Sequence, residues 1–80
     1  MGFGDIEIHI LRKLYRHTYI GRRHMSIDDL RQGLPSGKRD TRIINEAVKN
    51  LYMEGYVLLH KKGFRISLNP RVLAEVRDMV

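Results

Sequence analysis

Eighty residues suffice for one domain with a thin core and are too few for two. The absence of cysteine excludes disulfides and thiolate metal ligands, and fits a reducing compartment. Fifteen Lys and Arg against nine Asp and Glu leave a formal charge of +6. An excess of that size attracts polyanions, but it also serves solubility alone, so the placement of the charges has to decide.

In chain order, the first helix is expected over about residues 5–19. Ile6, Ile10, Leu11 and Leu14 recur at helical spacing, Asp5 and Glu7 suit the first turn, and Gly21 is the stop. Arg22, Arg23, His24 and Met25 form a short extended link. Ser26 opens a second helix, about 27–33, with Asp29 in the reciprocal capping position, and Gly33 and Pro35 end it. Pro35 to Arg39 is the turn. A third helix follows over about 40–54, with Ser36 or, by preference, Asp40 as N-cap and Gly55 just past its end. Its apolar face is Ile43, Ile44, Ala47, Val48 and Leu51.

Residues 56–68 read as a β-hairpin: Tyr56 to His60 is rich in strand formers, Lys61-Lys62-Gly63 is a turn, and Phe64 to Leu68 alternates apolar and polar. Asn69 and Pro70, as N-cap and first helical residue, start a last helix over about 70–79. This order predicts an α+β fold, mostly α. It is that of a winged helix-turn-helix: a three-helix core, a two-stranded β-hairpin wing and a C-terminal helix, in one domain over residues 5–80.

Particular residues carry a likeness too. The stretch Asn45 to Val57, with its Leu51 and the run Gly55-Tyr56-Val57, resembles the end of a winged-helix recognition helix entering its wing. Gly21-Arg22-Arg23-His24, Gly33-Leu34-Pro35 and Ile66-Ser67-Leu68-Asn69-Pro70 resemble small archaeal winged helix-turn-helix DNA-binding proteins of unassigned function. The likeness covers about residues 5–70, and it implies that the third helix is a recognition helix. One departure is a turn between the second and third helices longer than the usual three or four residues.

On a helical wheel Lys38, Arg42, Asn45 and Lys49 form a stripe opposite the apolar face, flanked by Thr41 and Tyr52 on one side and by Glu46 and Met53 on the other. Arg42 suits guanine O6 and N7, and Asn45 suits adenine N6 and N7. Thr41 can meet phosphate or a thymine methyl, while Lys38, Arg39 and Lys49 can neutralise phosphates. Lys61, Lys62 and Arg65 make the hairpin basic, and no acidic residue lies between Tyr56 and Asn69. Each feature alone also describes an ordinary solvated surface. Together they predict double-stranded DNA binding by a small transcriptional regulator, with the third helix in the major groove and the wing on the flanking backbone. The alternatives are a protein–protein or structural adaptor and an RNA-binding module.

No catalytic set is visible, so the chain is expected not to be an enzyme and to take no cofactor or small-molecule ligand. His9, His17, His24 and His60 lack metal-ligand spacing. His24 either joins Arg22 and Arg23 at a phosphate or packs under the wing. The last helix carries Val72, Leu73, Val76, Met79 and Val80 on one side; that stripe either packs back on the first helix or, as preferred here, pairs two copies as a homodimer. No membrane contact is expected, since no run approaches about 20 apolar residues. Nor does the start show a secretory leader or, with Ile6, a myristoylation site. A cytoplasmic, nucleoid-associated protein is the expectation.

Overall fold

The computed structural model describes residues 3–34 and 40–80. Four helices, α1 (Asp5–Arg16), α2 (Ile27–Gln32), α3 (Thr41–Met53) and α4 (Leu73–Met79), surround three short strands, β1 (Met25–Ser26), β2 (Val57–His60) and β3 (Arg65–Leu68). The architecture is α+β and mostly helical, with one antiparallel sheet of order β1-β3-β2.

The expected hairpin is present, with Val57 opposite Leu68 and His60 opposite Arg65. β1 lies within what its sequence presents as a plain extended link and helix cap. Two residues of the supposed link pair with the far edge of β3, Met25 opposite Ile66 and Ser26 opposite Arg65. A two-residue strand is too short for any alternation to register in sequence, and its pairing is non-local. Ser26 then leaves the sheet and caps α2, its hydroxyl accepting from the Asp29 amide at 3.0 Å.

Period-two geometry sorts the sheet into two faces. Met25, Val57, Ile66 and Leu68 point into the core, all buried, where they meet Ile10, Leu11 and Leu14 of α1 and Ile44, Ala47, Val48 and Leu51 of α3. The other face carries His24, Leu58, His60, Arg65 and Ser67. Alternation predicts an exposed Ser67, yet it is fully buried, because the Gly21 segment and His60 cover it. Conversely, Phe64 belongs to the turn and not to the strand, and is 73% exposed. On α3, Ile43 lies outside the buried stripe and is 46% exposed.

The first helix ends earlier than its expected limit of residue 19. Gly21 is not the stop. Thr18 takes the left-handed conformation (φ 56°), the Tyr19 amide donates back to the Leu14 carbonyl at 2.9 Å, and the Thr18 amide donates to that of Tyr15 at 3.2 Å. This is the paired-bond ending usually built on glycine, here held by Tyr19 packing onto the core. α3 ends in the same way, with Gly55 (φ 80°) in the expected place.

Asn69 does more than cap. Its side chain accepts from the Arg71 amide at 3.0 Å and donates to the Gly55 carbonyl at 2.8 Å, while its amide donates to the Tyr56 carbonyl at 3.0 Å. The two ends of the hairpin are thereby tied together. A 3₁₀ turn at Pro70–Val72 then leads into α4, which packs back against α1. Val76 is fully buried there, and Val72, Leu73 and Met79 are half-buried against the same core. Val76, expected in a contact between copies, thus serves the chain's own core. The Tyr56 hydroxyl fastens the same helix by donating to Glu75 at 2.7 Å, a bond that raises the tyrosine pKa above its ordinary value. Among the described residues no helix is long and apolar enough to cross a membrane.

Two substitutions test this account. Thr18→Gly relieves a β-branched side chain of positive φ and is expected to stabilise the chain by about 0.5–1 kcal/mol, seen as a higher Tm in thermal melts. Val76→Asp buries an unpaired charge at a cost of about 3–5 kcal/mol, a large part of the roughly 5–15 kcal/mol typical of a folded domain. Circular dichroism should show loss of the fold itself and not a folded chain with altered association.

Candidate nucleic-acid interface

The charged stripe of α3 is built by its amphipathicity. With Ile44, Ala47, Val48 and Leu51 committed to the core, Thr41, Arg42, Asn45 and Lys49 have to face outward, and all four are exposed. Asp40 is the N-cap, its Oδ1 accepting from the Arg42 amide at 2.8 Å. That carboxylate takes up one of the free N–H groups that otherwise favour phosphate at a helix start. Lys38 and Arg39 lie outside the described residues.

Thr41 is held by a residue outside the predicted stripe. Arg31 of α2 donates from Nη1 to the Thr41 hydroxyl at 2.8 Å, and from Nη2 to Asp28 at 3.4 Å. The accepting hydroxyl keeps its own proton free to donate outward. The signal available was the i, i+3 pair Asp28 and Arg31 on a short helix, which fixes the arginine but not its reach to α3.

Lys61, Lys62 and Gly63 turn the hairpin with three successive positive φ values of 53°, 59° and 92°. Only the glycine was foreseen there. Each lysine costs on the order of 1 kcal/mol in that conformation, and both side chains are exposed. The turn flanks α3: Gly63 and the exposed Phe64 line a groove of about 320 Å³ together with Arg31, Thr41 and Asn45. Phe64 was expected in the strand. The bond from the Ile27 amide to its carbonyl, 2.9 Å, fixes it outside the ladder.

On the other flank of α3, Arg42 and Ile43 line a larger groove, about 720 Å³, shared with Asp5, Glu7, Asp40 and Glu46. Arg42 thus borders an acidic groove toward α1, while the groove toward the hairpin holds Arg31 together with its partner Asp28.

Arg65 is not a free hairpin cation. It is half-buried, with Nε donating to His24 Nδ1 at 2.7 Å and Nη2 to the His24 carbonyl at 3.2 Å. Of the two places open to His24, the one under the hairpin is taken. Its ring stacks on that of His60, centroids 4.4 Å apart. His60 Nε2 meets the buried Ser67 hydroxyl at 2.9 Å, and that hydroxyl donates to the Gly21 carbonyl at 2.7 Å. With the serine proton so used, His60 Nε2 carries the proton of the first contact. Arg22 and Arg23 are exposed, and Arg23 lies over the Tyr19 ring at 5.3 Å. Among the described residues no group of three or more His, Asp or Glu could hold a metal ion.

His24 has its pKa lowered, first by its removal from water and then by the charges of His60, Arg65 and Lys61. The folded chain thus binds this proton less readily than the unfolded one. The stability His24 contributes is present above its ordinary value near 6.5 and falls away as pH drops through the lower folded value. Melts from pH 7.5 down to 5 should show a falling Tm, and His24→Gln should flatten part of that fall. A Tm that rises on acidification in the parent would contradict the assignment.

No family model, no curated protein and no solved structure matches the chain.

Proposed function

We propose that the chain is a winged helix-turn-helix that binds double-stranded DNA, with α3 in the major groove and the Lys61–Lys62 turn on the flanking backbone. It acts as a small transcriptional regulator and not as an enzyme. The observation that carries this reading is the shared groove: the hairpin turn and the exposed Thr41 and Asn45 of α3 line one surface, beside Arg42 and Lys49. A side-chain stripe able to read base edges, next to cations able to meet phosphates, matches the division of labour in duplex recognition. The order α2, then α3, then an antiparallel hairpin supports the fold part of the reading.

Selection of bound duplexes from a random pool tests it. An enriched motif supports a sequence-reading regulator. Salt-insensitive binding, or a preference for RNA or for an acidic protein, would move the basic surface to one of the other functions.

Two variants divide the roles. Arg42→Ala should cost about 1–3 kcal/mol on the selected site and relax its specificity. Lys62→Gly should weaken all duplexes alike and reduce the salt slope by about one. The same change should raise the Tm, since glycine accepts φ 59° without strain. If gel-shift titrations find neither variant altered, the α3–hairpin surface is not the DNA site.

A further inference from the structure

The outer face of the sheet carries polar groups that the α3 stripe does not use. Arg65 presents one edge of its guanidinium, Nε and Nη2, to two acceptors that both belong to His24: the ring Nδ1 and the backbone carbonyl. That two-point arrangement is the one an oxyanion makes with arginine. Nη1 takes part in neither bond. His24 can accept at Nδ1 only while neutral there. Once that nitrogen is protonated, the 2.7 Å contact becomes one between two donors on two cations, and the arginine edge has to find another acceptor.

The charges facing His24 are all cationic or able to become so: His60 from β2, Lys61 from the turn and Arg65 from β3, with Arg22 and Arg23 preceding it on its own segment. No carboxylate is among the charges acting on it. His60 cannot relieve the site by turning away, because its Nε2 is engaged by the buried Ser67. A proton on His24 therefore leaves a cluster of positive charge that an anion from solvent would complete.

We propose that His24, Arg65 and Lys61 form a proton-gated phosphate site, closed when neutral His24 occupies the arginine and opened when His24 is protonated. Building on the DNA reading above, the phosphate is that of a nucleic-acid backbone lying beside the hairpin; free inorganic phosphate shares the same chemistry. Proton and phosphate then bind together, each favouring the other. The stacked His60 holds the imidazole in place.

Two measurements on the full chain test this. In the first, the histidine ring protons are followed by NMR against pH, in inorganic phosphate and in chloride at equal ionic strength. Phosphate should move the His24 midpoint upward while leaving His9 and His17 where they are. An equal response of all three, or none, overturns the site. In the second, duplex affinity is measured at pH 8 and pH 5.5 at fixed ionic strength. The wild type should gain roughly tenfold on acidification, the size of one charge-assisted hydrogen bond. His24→Gln should lose that gain and His9→Gln should keep it. Gln retains a carbonyl acceptor for Arg65, and the NMR arm stands on the wild type whether or not the variant folds. An undiminished gain in His24→Gln overturns backbone phosphate as the ligand. Absence of duplex binding at every pH defeats the DNA reading instead, and the phosphate titration then decides the site by itself.

Discussion

The central strand β3 needs partners on both edges and cover on both faces, and most of the chain is arranged to supply them. An interior strand buried away from water cannot leave its amides or carbonyls unpaired. β2 takes one edge; β1 and the Tyr19–Gly21 segment share the other, with Leu68 donating to the Tyr19 carbonyl at 2.7 Å and accepting from Gly21 at 2.9 Å. Inside, Ile66 and Leu68 meet the core of α1 and α3. Outside, Ser67 is satisfied by Gly21 and His60, which makes burial of a hydroxyl tolerable. Asn69 then locks the strand end to the start of the hairpin, so the turn that bears Lys61 and Lys62 is held at its base by a network and not by the two-stranded pairing alone. An isolated two-stranded hairpin is marginal in water.

Helix positions and most of the core were legible in the sequence because they rest on local signals. The periodicity of Ile10, Leu11 and Leu14, the Asp40 cap, the glycine after α3 and the Asn69-Pro70 start all depend on residues within one or two turns. Features set by distant partners were not. β1 exists because β3 has a free edge, which no reading of Arg22 to Met25 discloses. Ser67 is buried because a segment more than forty residues earlier crosses it. Thr18 stands in a glycine's place because Tyr19 has a core to enter.

The candidate site divides along the same line. Exposure of Thr41, Arg42, Asn45 and Lys49 followed from the apolar face they oppose, so the wheel found them. Arg65 looked like one more hairpin cation because sequence shows charge without showing its partner; the acceptor, His24, is forty-one residues away. Arg31, too, gains its meaning only from Thr41, ten residues on. Composition thus identified a basic surface but could not say which cations were already spoken for.

Charge across α3 is not symmetric, and that bears on how a polyanion would approach. Four of the nine carboxylates, Asp5, Glu7, Asp40 and Glu46, line the groove toward α1, whereas in the opposite groove Asp28 is paired with Arg31 and the end is a hairpin turn with two exposed lysines. Repulsion on one flank and attraction on the other would roll a duplex toward the hairpin, with Arg42 at the boundary. The two lysines hold backbone conformations that glycine or asparagine would accept at lower cost, so strain is retained at two exposed charges. Folding alone gives no reason for that choice. In the proposed complex the reason is electrostatic: the turn sets two adjacent, exposed lysines next to the groove that Gly63 and Phe64 line with Thr41 and Asn45 of α3.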